Sequence, residues 1–230
     1  MKALLVESHE IAPEVRHFTF EVAEASGFSF LPGQFVSITK DLNGKEIVRA
    51  YSIASEPDET NRFALCLNRV ADGHMSPWLF ELKAGDAIDI KPPLGMFTLR
   101  PNDRDILLVG TGTGVAPFRS ILRAELGKST RHFTLIFGTR HESTLLYDAE
   151  FKSFAEQYPG QFQYWPTLSR PEPGWTGRTG YVQTHLDEAI GERRDLDILV
   201  CGLKLMVDEV RGRLKASGFD RKQIVYEKYD

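Results

Sequence analysis

The pattern of hydrophobic and polar positions changes near residue 100, and the two halves predict different folds. The first half shows short stretches in which apolar and polar residues alternate, as in strands with one buried face. Turn residues separate these stretches at Gly27, Pro32-Gly33, Asn43-Gly44 and Gly85-Asp86. The predicted strands are Lys2–Ser8, Arg16–Glu21, Gln34–Thr39, Glu46–Ile53, Arg62–Val70 and Ala87–Lys91. Regular short strands favour an N-terminal antiparallel β-barrel.

One helix is predicted within this first half. Ser76 is a good N-cap residue, and Pro77 would then occupy the first helical position. Proline is suited to that position because its missing N–H has no intrahelical partner there. We therefore expect a short helix that begins at Ser76.

The second half alternates between continuous apolar runs and amphipathic stretches. Ile106–Val109 is apolar throughout and ends at Gly110, which is typical of a strand buried on both faces. Further strands are predicted at His132–Phe137, Gln161–Leu168, Ile198–Val200 and Gln223–Glu227, and helices at Phe118–Leu126, Asp148–Gln157, Tyr181–Ile190 and Lys204–Ala216. This order predicts a C-terminal α/β domain with a parallel sheet and helices on both faces. Pro101-Asn102-Asp103 marks the expected boundary, with domains 1–101 and 102–230.

Composition narrows the functional classes. The 230 residues are 42% hydrophobic, enough for one large core or two modest ones, and the net charge of -4 comes without a basic cluster for nucleic acid. The two cysteines, Cys66 and Cys201, are far apart, which argues against an iron–sulfur cluster, a zinc site or a disulfide framework. The chain start lacks the apolar region of a signal peptide, and no apolar run could span a bilayer. We expect a cytoplasmic monomer without a metal, a membrane or a nucleic-acid partner.

A glycine-rich segment directly follows the first buried strand of the second half. It consists of Gly110, Thr111, Gly112, Thr113, Gly114, Val115, Ala116 and Pro117. Glycines let the backbone approach a ligand, and the N-terminus of the following helix offers free N–H groups that suit a pyrophosphate. Val115 departs from the GxGxxG pattern, and a P-loop is excluded because no Gly-Lys-Ser/Thr follows. The alternative is a tight turn without a ligand.

The first half holds two further candidate motifs. On an extended strand Arg49 and Tyr51 point to the same face, where a guanidinium can bind phosphate and a phenol can stack on a flat heterocycle. Ser52 points the other way unless the strand bends. Gly73-His74-Met75-Ser76 forms a glycine-containing helix start that could receive phosphate. The alternatives are an ordinary amphipathic strand and a plain helix cap.

These motifs occur in the order Arg-x-Tyr-Ser, Gly-x-x-Ser, Gly-Thr-Gly-Thr-Gly-Val-Ala-Pro and Cys201-Gly202-Leu203-Lys204. In that order they resemble the ferredoxin–NADP reductase family over essentially the whole chain. The segments Leu65–Arg69, Pro93–Gly95 and Phe137–Arg140 are also similar to family patterns. The resemblance implies that domain 1–101 binds FAD and that domain 102–230 binds NAD(P).

The resemblance implies the roles of the FAD-binding residues. Arg49 binds the pyrophosphate, Tyr51 stacks on the isoalloxazine, and Ser52 lies near flavin N5, where hydride arrives. The segment from Gly73 through His74 and Met75 to Ser76 cradles the phosphates. The remaining FAD contacts implied by the resemblance are Ala50, Leu67 and Val70.

The resemblance also implies the roles of the nicotinamide-binding residues. The Gly110–Pro117 loop holds the nucleotide with Thr113 near the ring junction, and Cys201, followed by Gly202, sits beside nicotinamide C4. The alternative for Cys201 is a small buried hydrophobe. Glu227-Lys228-Tyr229 is similar to the Glu-x-Tyr chain ending, whose aromatic ring covers the flavin. Asp230 is one residue more than that ending has, so Tyr226 is the alternative. The candidate catalytic residues are Ser52, Cys201, Glu227 and Tyr229.

Residues after Gln161–Leu168, the third predicted strand of the second half, bear on the choice between NADP(H) and NAD(H). A 2′-phosphate calls for a hydroxyl and guanidinium groups, which Ser169, Arg170 and Arg178 supply. The resemblance places them at the matching strand end and loop, so NADP(H) is expected, with NAD(H) possible. The alternative is that both arginines are solvated loop residues.

The expected activity follows from the redox chemistry of these cofactors. NAD(P)H gives up two electrons as a hydride, and a ferredoxin or flavodoxin-like carrier accepts one at a time, so a flavin bridges the mismatch. We expect a FAD-dependent ferredoxin/flavodoxin–NADP reductase. The alternatives are an oxygenase reductase component, a flavin reductase and a non-enzymatic nucleotide-binding regulator.

Overall fold

The computed structural model describes residues 1–23, 28–42, 44–58 and 60–229. The predicted turn at Gly27, the first half of the Asn43-Gly44 hairpin signal and Asp230 lie outside these residues. The chain divides into two compact units. The first unit is Met1–Leu99 with Ala116–Ala124, and the second is Arg100–Val115 with Glu125–Asp230.

The first unit is built on one six-stranded sheet. Its strands are β1 (Lys2–Ala12), β2 (Val15–Val22), β3 (Phe35–Leu42), β4 (Lys45–Ser52), β5 (Arg62–Asn68) and β6 (Ala87–Leu94). All pairs are antiparallel, in the order β4-β3-β6-β1-β2-β5. The edge strands meet where Ile53 bridges to Leu65 and the Ala54 N–H donates to the Ala64 carbonyl at 2.8 Å. The sheet therefore curls back on itself, and the predicted antiparallel fold is confirmed.

Aromatic side chains fill the core of this unit. Phe18 and Phe20 on β2 are fully buried, and Phe20 pairs across the strands with Phe63 at a ring distance of 5.5 Å. The helix α1 (Met75–Phe80) places Phe80 edge-on against Phe18 at 5.7 Å. From Phe18 to Val22, buried and half-buried positions alternate along β2, which is the period-two pattern on which the strand prediction rested.

The predicted N-cap of α1 is wrong. His74, not Ser76, occupies the N-cap position, and Pro77 is the third residue of the helix. The buried Ser76 hydroxyl instead accepts a hydrogen bond from the Val70 N–H at 2.9 Å. Pro77 remains compatible with the helix because each of the first four N–H groups lacks an intrahelical partner. The same hydrogen bond explains why β5 ends at Asn68 rather than at the predicted Val70.

The second unit is built on a six-stranded parallel sheet. Its strands are β7 (Ile106–Thr111), β8 (Phe133–Thr139), β9 (Phe162–Leu168), β10 (Arg178–Thr179), β11 (Asp197–Leu203) and β12 (Ile224–Tyr229). The order is β10-β9-β8-β7-β11-β12, with every pair parallel, as predicted for the second half. The sequence did not predict β10, because two residues are too few to show a periodicity.

Helices cover both faces of this sheet. Within the second unit they are α3 (Asp148–Gln157), α4 (Leu186–Ile190) and α5 (Lys204–Ala216), whereas α2 (Ala116–Glu125) belongs up to Ala124 to the first unit. Tyr164 and Trp165 are neighbours on β9 and therefore point to opposite faces. The Tyr164 ring lies 5.4 Å from Phe151 of α3, whereas Trp165 packs against the core that contains Val207 of α5. None of the helices in the described ranges is long and apolar enough to cross a membrane.

Two predicted helices have different bounds in the structure. The stretch predicted as one helix, Tyr181–Ile190, is a 3₁₀ turn at Val182–His185 followed by α4. The turn brings the buried Val182 against Gly138, where an added Cβ would lie 2.6 Å from the valine side chain. The helix predicted from Phe118 begins at Ala116, after a 3₁₀ turn over Gly112–Val115.

Candidate functional site

Strand β4 carries the candidate flavin-binding residues of the first unit. Arg49 pairs across the strands with Ile38, and Tyr51 pairs with Val36, so both lie on one face of β4, as predicted. Arg49 is exposed and its Nη1 donates to the Val48 carbonyl at 2.9 Å. Ala50 and Ser52 occupy the other face, where Ala50 is exposed and Ser52 is buried.

The environment of Tyr51 keeps its phenol neutral. Burial raises the pKa of Tyr51 to about 12, and the positive charge of Arg49 opposes this rise. The guanidinium is therefore close enough to act on the phenol. A cation and a neutral aromatic ring on one strand face are the groups that a phosphate and a flat heterocycle require.

The loop before α1 is closed by two hydrogen bonds. The Gly73 N–H donates to the Val70 carbonyl at 2.9 Å, and the Val70 N–H donates to the Ser76 hydroxyl at 2.9 Å. A Cβ on Gly73 would lie 3.1 Å from the Val70 carbonyl oxygen, so the turn favours glycine. A hydroxyl that accepts one hydrogen bond still has its own O–H to donate. The neighbours His74 and Val70 are exposed, and Met75 and Leu67 are buried.

Two glycines make the glycine-rich loop of the second unit fit against the end of β11. A Cβ on Gly114 would lie 2.5 Å from the Cys201 carbonyl oxygen. A Cβ on Gly202, whose φ is +144°, would lie 2.4 Å from Thr111 Oγ1. Because backbone and side chain already fill these places, glycine is needed at both positions. The turn between β7 and the following helix therefore packs closely against the end of β11, as expected for the predicted nucleotide-binding loop.

A buried hydroxyl lies inside this loop. Within the described ranges, Thr111 Oγ1 has no hydrogen-bond partner. A buried polar group without a partner is costly, and a ligand that supplies one removes the cost. The orphaned hydroxyl, the positive φ of +54° at Gly112 and the helix that follows thus fit a nucleotide. Of the other loop residues, Gly110 and Pro117 are buried and Thr113 is half-buried.

The carboxyl ends of β11 and β12 bring three of the four candidate catalytic residues together. Cys201 pairs with Glu227 across the two strands, and Tyr229 lies two residues further along β12. Burial raises the pKa of the Cys201 thiol, the Glu227 carboxylate raises it further, and a hydrogen bond with Tyr229 lowers it. The thiol is therefore neutral, which suits packing rather than nucleophilic attack. The fourth residue, Ser52, belongs to the first unit.

Neighbouring strand ends bring two exposed arginines together. The Ser169 N–H donates to the Thr139 carbonyl at 3.0 Å, and the Arg170 N–H donates to the Arg140 carbonyl at 2.9 Å. Sequence reasoning assigned no role to Arg140. The available signal was an arginine within two residues of the end of each of two consecutive parallel strands, β8 and β9, whose carboxyl ends share one edge of the sheet.

Arg178 makes different contacts from Arg140 and Arg170. Its guanidinium carbon stands 3.8 Å from the centre of the Trp165 ring, and both terminal nitrogens bond Glu188 of α4. The alternative of a purely solvated loop arginine does not describe this residue. Its predicted contact with a 2′-phosphate stays a prediction.

The structure also describes the residues that metal or disulfide chemistry would use. Both cysteines are buried and reduced. Across residues 1–23, 28–42, 44–58 and 60–229, no group of three or more His, Cys, Asp or Glu residues could hold a metal ion.

Comparison with known families finds one family match in each half of the chain. Residues 2–99 match the family described as the oxidoreductase FAD-binding domain, and residues 108–212 match the oxidoreductase NAD-binding domain. The fold and these matches define an oxidoreductase that binds FAD and a nicotinamide nucleotide. The chain is also 39% identical to ferredoxin–NADP reductase B of Sorangium cellulosum, across 100% of this chain and 97% of that protein. It belongs to the ferredoxin–NADP reductase family.

Two further relatives extend the range of known partners within similar proteins. The chain is 31% identical to NADH-cytochrome b5 reductase 1 of Laccaria bicolor, over 92% of this chain and 71% of the relative. The crystal structure of a cytochrome P450 reductase from Amycolatopsis superimposes with a TM-score of 0.88 at 30% identity. That similarity covers 99% of this chain and 69% of the other.

Proposed function

We propose that this chain is a FAD-dependent ferredoxin/flavodoxin–NADP reductase. It exchanges hydride with NADP(H) and single electrons with a separate protein carrier. The observation that carries the choice of NADP(H) is the hydrogen-bonded pair of strand ends that holds Arg140 beside Arg170, with Ser169 next to them. Two guanidinium groups and a hydroxyl form the donor set that a 2′-phosphate needs.

The FAD-binding residues belong to the first unit in this proposal. Arg49 binds the pyrophosphate, Tyr51 stacks on the isoalloxazine, and Ser52 lies near flavin N5. The closed Gly73–Ser76 turn, with the O–H of Ser76 as its donor, receives phosphate. The contacts of the exposed Arg49 and the neutral phenol of Tyr51 support these roles. Bound FAD supplies the exchange between two-electron and one-electron chemistry.

Of the nicotinamide-binding residues in this proposal, Gly110–Val115, Cys201, Gly202, Glu227 and Tyr229 belong to the second unit. The Gly110–Pro117 loop holds the nucleotide, and the orphaned Thr111 Oγ1 supports a ligand there. Cys201 packs beside nicotinamide C4 as a neutral, compact side chain, and Gly202 keeps the adjacent backbone close to the loop. Glu227 and Tyr229 complete this edge. Excluding water and fixing orientation are the contributions expected of such residues in hydride transfer.

The electron partner follows from the chemistry and from the relatives. A one-electron carrier of ferredoxin or flavodoxin type is the partner proposed for this chain, acting on a monomer in the cytoplasm. Ferredoxin–NADP reductase B of Sorangium cellulosum, which matches over 97% of its length, supports this choice.

The proposal is tested with purified protein and the two nicotinamide nucleotides. The protein should release FAD, not FMN, on denaturation and should favour NADPH over NADH. Arg170→Ala should raise the KM for NADPH about tenfold, since a charge-assisted hydrogen bond contributes about 1.5 kcal/mol, and should leave NADH nearly unchanged. Arg221→Ala, at an exposed position of the same unit, is the control. An equal loss with both nucleotides would assign Arg170 a structural role and make NAD(H) the donor.

A second function is favoured by one similarity. The structural match to a cytochrome P450 reductase supports an electron-transfer role for an oxygenase rather than for general metabolism. Assays with ferredoxin, flavodoxin, a P450 and free flavin as acceptors separate the two functions. Faster reduction of a P450 or of free flavin than of ferredoxin and flavodoxin would favour the second.

A further inference from the structure

Arg178 is held by a fork-to-fork ion pair within the second unit. Its Nη1 lies 2.5 Å from Glu188 Oε2, and its Nη2 lies 2.6 Å from Glu188 Oε1. The face of the guanidinium rests on Trp165 at 3.8 Å. Both terminal nitrogens and one face of this cation are therefore engaged by the protein itself.

Strand pairing and hydrogen bonds fix the position of the Arg178 main chain. Arg178 pairs with Thr167 across β10 and β9, and the Trp175 indole N–H donates to the Arg178 carbonyl at 2.9 Å. The Gly180 N–H donates to the Leu168 carbonyl at 2.8 Å. Arg178 therefore lies beside Thr167, the second-to-last residue of β9. Ser169 follows directly after the end of that strand.

The charges around Arg178 come from α4 and the turn before it. A hydrogen bond from Arg178 lowers the pKa of the Glu188 carboxyl, which keeps the carboxylate charged. His185 is the next titratable group, and its Nε2 lies 3.0 Å from Thr167 Oγ1. Burial, and then the charge of Arg178, lower the pKa of His185 and favour its neutral form. Glu188 is therefore the group that compensates the charge of Arg178.

We propose that Glu188 is a specificity-determining residue that competes with the 2′-phosphate of NADP(H) for Arg178. The inference rests on the proposed function, in which the 2′-phosphate lies beside Ser169 and Arg170. Carboxylate and phosphate use the same planar fork of an arginine, so one guanidinium edge cannot serve both in full. Glu188 thereby reduces the advantage of NADP(H) over NAD(H), and its removal increases that advantage.

The test measures binding of two ligands that differ only in the 2′-phosphate. Adenosine 2′,5′-bisphosphate and 5′-AMP are titrated calorimetrically into the full-length protein and its Glu188→Gln variant at one ionic strength. We expect about 1.4- to fivefold tighter binding of the bisphosphate, the range that an exposed ion pair of about 0.2–1 kcal/mol allows, and no change for 5′-AMP. The Glu188 side chain is 57% exposed, so the substitution does not disturb the core.

A matched control and a second background isolate the role of Arg178. Glu209→Gln breaks a comparable exposed ion pair, with Arg213 at 3.0 Å on α5, and should change neither affinity. In an Arg178→Met background, Glu188→Gln should no longer tighten bisphosphate binding. Two results would overturn the inference. The first is that Glu188→Gln still tightens bisphosphate binding in the Arg178→Met background. The second is that Glu188→Gln alone leaves bisphosphate binding unchanged or weakens it.

Failure of the proposed function gives a different result. If Arg170→Ala weakens both ligands equally, the 2′-phosphate does not lie at this strand edge, whatever the Glu188 variant shows. If Arg170→Ala weakens only the bisphosphate while Glu188→Gln has no effect, the phosphate site stands and the role of Glu188 falls.

Discussion

The two units place their candidate site residues in different parts of the backbone. In the antiparallel unit, Arg49 and Tyr51 project from the face of a strand that is already hydrogen-bonded to β3. In the parallel unit, Gly114 lies in the turn after β7 and Gly202 lies near the end of β11, where neighbouring segments approach to distances that exclude a Cβ. Side chains thus form the first candidate site, and close backbone packing forms much of the second candidate site.

This difference predicts how each site responds to substitution. A side chain that projects from a paired strand can be removed with little effect on the fold. A glycine that lets two segments meet cannot be changed without moving one of them. Binding and stability should therefore separate in the first unit and change together in the second.

Gly114→Ala should have the largest effect on stability. Its Cβ would lie 2.5 Å from the Cys201 carbonyl oxygen and 2.9 Å from Gly202 Cα, so backbone must shift. We expect a loss of about 3 kcal/mol in the free energy of unfolding, the upper range for overpacking, together with weaker nucleotide binding. The control is Gly212→Ala in α5, where nothing lies within 4 Å, and it should stabilise by about 0.5–1 kcal/mol. Urea unfolding of both variants provides the measurement, and equal midpoints would contradict the close-packing argument.

Arg49→Ala should weaken FAD binding and leave the fold intact. Loss of a charge-assisted phosphate contact costs about 1.5–3 kcal/mol, or more than tenfold in the dissociation constant of FAD. Arg62→Ala is the matched control, because Arg62 is an exposed arginine on β5 that pairs with Glu21 at 2.8 Å. Fluorescence titration of the apoprotein with FAD measures both variants. Similar affinities in the two would place Arg49 away from the phosphates.

A pH titration should destabilise the first unit through His17. This side chain is 8% exposed, and its pKa is lowered to about 3 by burial, then by Arg119, His9 and Arg123. Between the folded pKa of about 3 and the ordinary histidine pKa of 6.5, the unfolded state binds more protons than the folded state. The contribution of His17 to stability is therefore complete above pH 6.5 and falls as the pH decreases towards 3. From pH 7.5 to 5 the wild type should lose about 2 kcal/mol through this group.

His17→Asn should remove that pH dependence, whereas His132→Gln, at a side chain 61% exposed, should retain it. Hydrogen exchange of β1 and β2 amides reads the first unit separately from the second. Parallel pH profiles for wild type and His17→Asn would show that another group governs acid stability.

Tyr229→Ser should have the smallest effect and concerns binding alone. If the ring covers the flavin as the family ending implies, nicotinamide must displace it, and stacking contributes about 0.5–1.5 kcal/mol. We expect about two- to tenfold tighter NADP(H) binding and a shifted flavin spectrum. Tyr226→Ser is the control, since the Tyr226 ring lies under the Arg211 guanidinium at 3.6 Å. If only the Tyr226 variant changes the spectrum, the stacking residue is Tyr226.

Long periodic elements were predictable from the sequence. The helices Asp148–Gln157 and Lys204–Ala216 have the predicted bounds, and the apolar run from Ile106 forms the central strand β7. These elements depend on local patterns of burial, which the order of residues displays directly. The glycine-rich loop was visible for the same reason, because its residues are consecutive.

Contacts between distant residues were decided only by the tertiary structure. Serine is a common helix-capping residue, but the Ser76 hydroxyl accepts a hydrogen bond from the Val70 N–H instead. Arg140 and Arg170 meet because β8 and β9 are neighbours in the sheet. Arg178 is engaged by Trp165 and Glu188, which lie before and after it in the chain. Residue types and spacing determined which chemical groups this protein has, and strand order and side-chain packing decided which of them meet. The physical reason is that a hydrogen bond or ion pair depends on distance in space, which local periodicity does not encode.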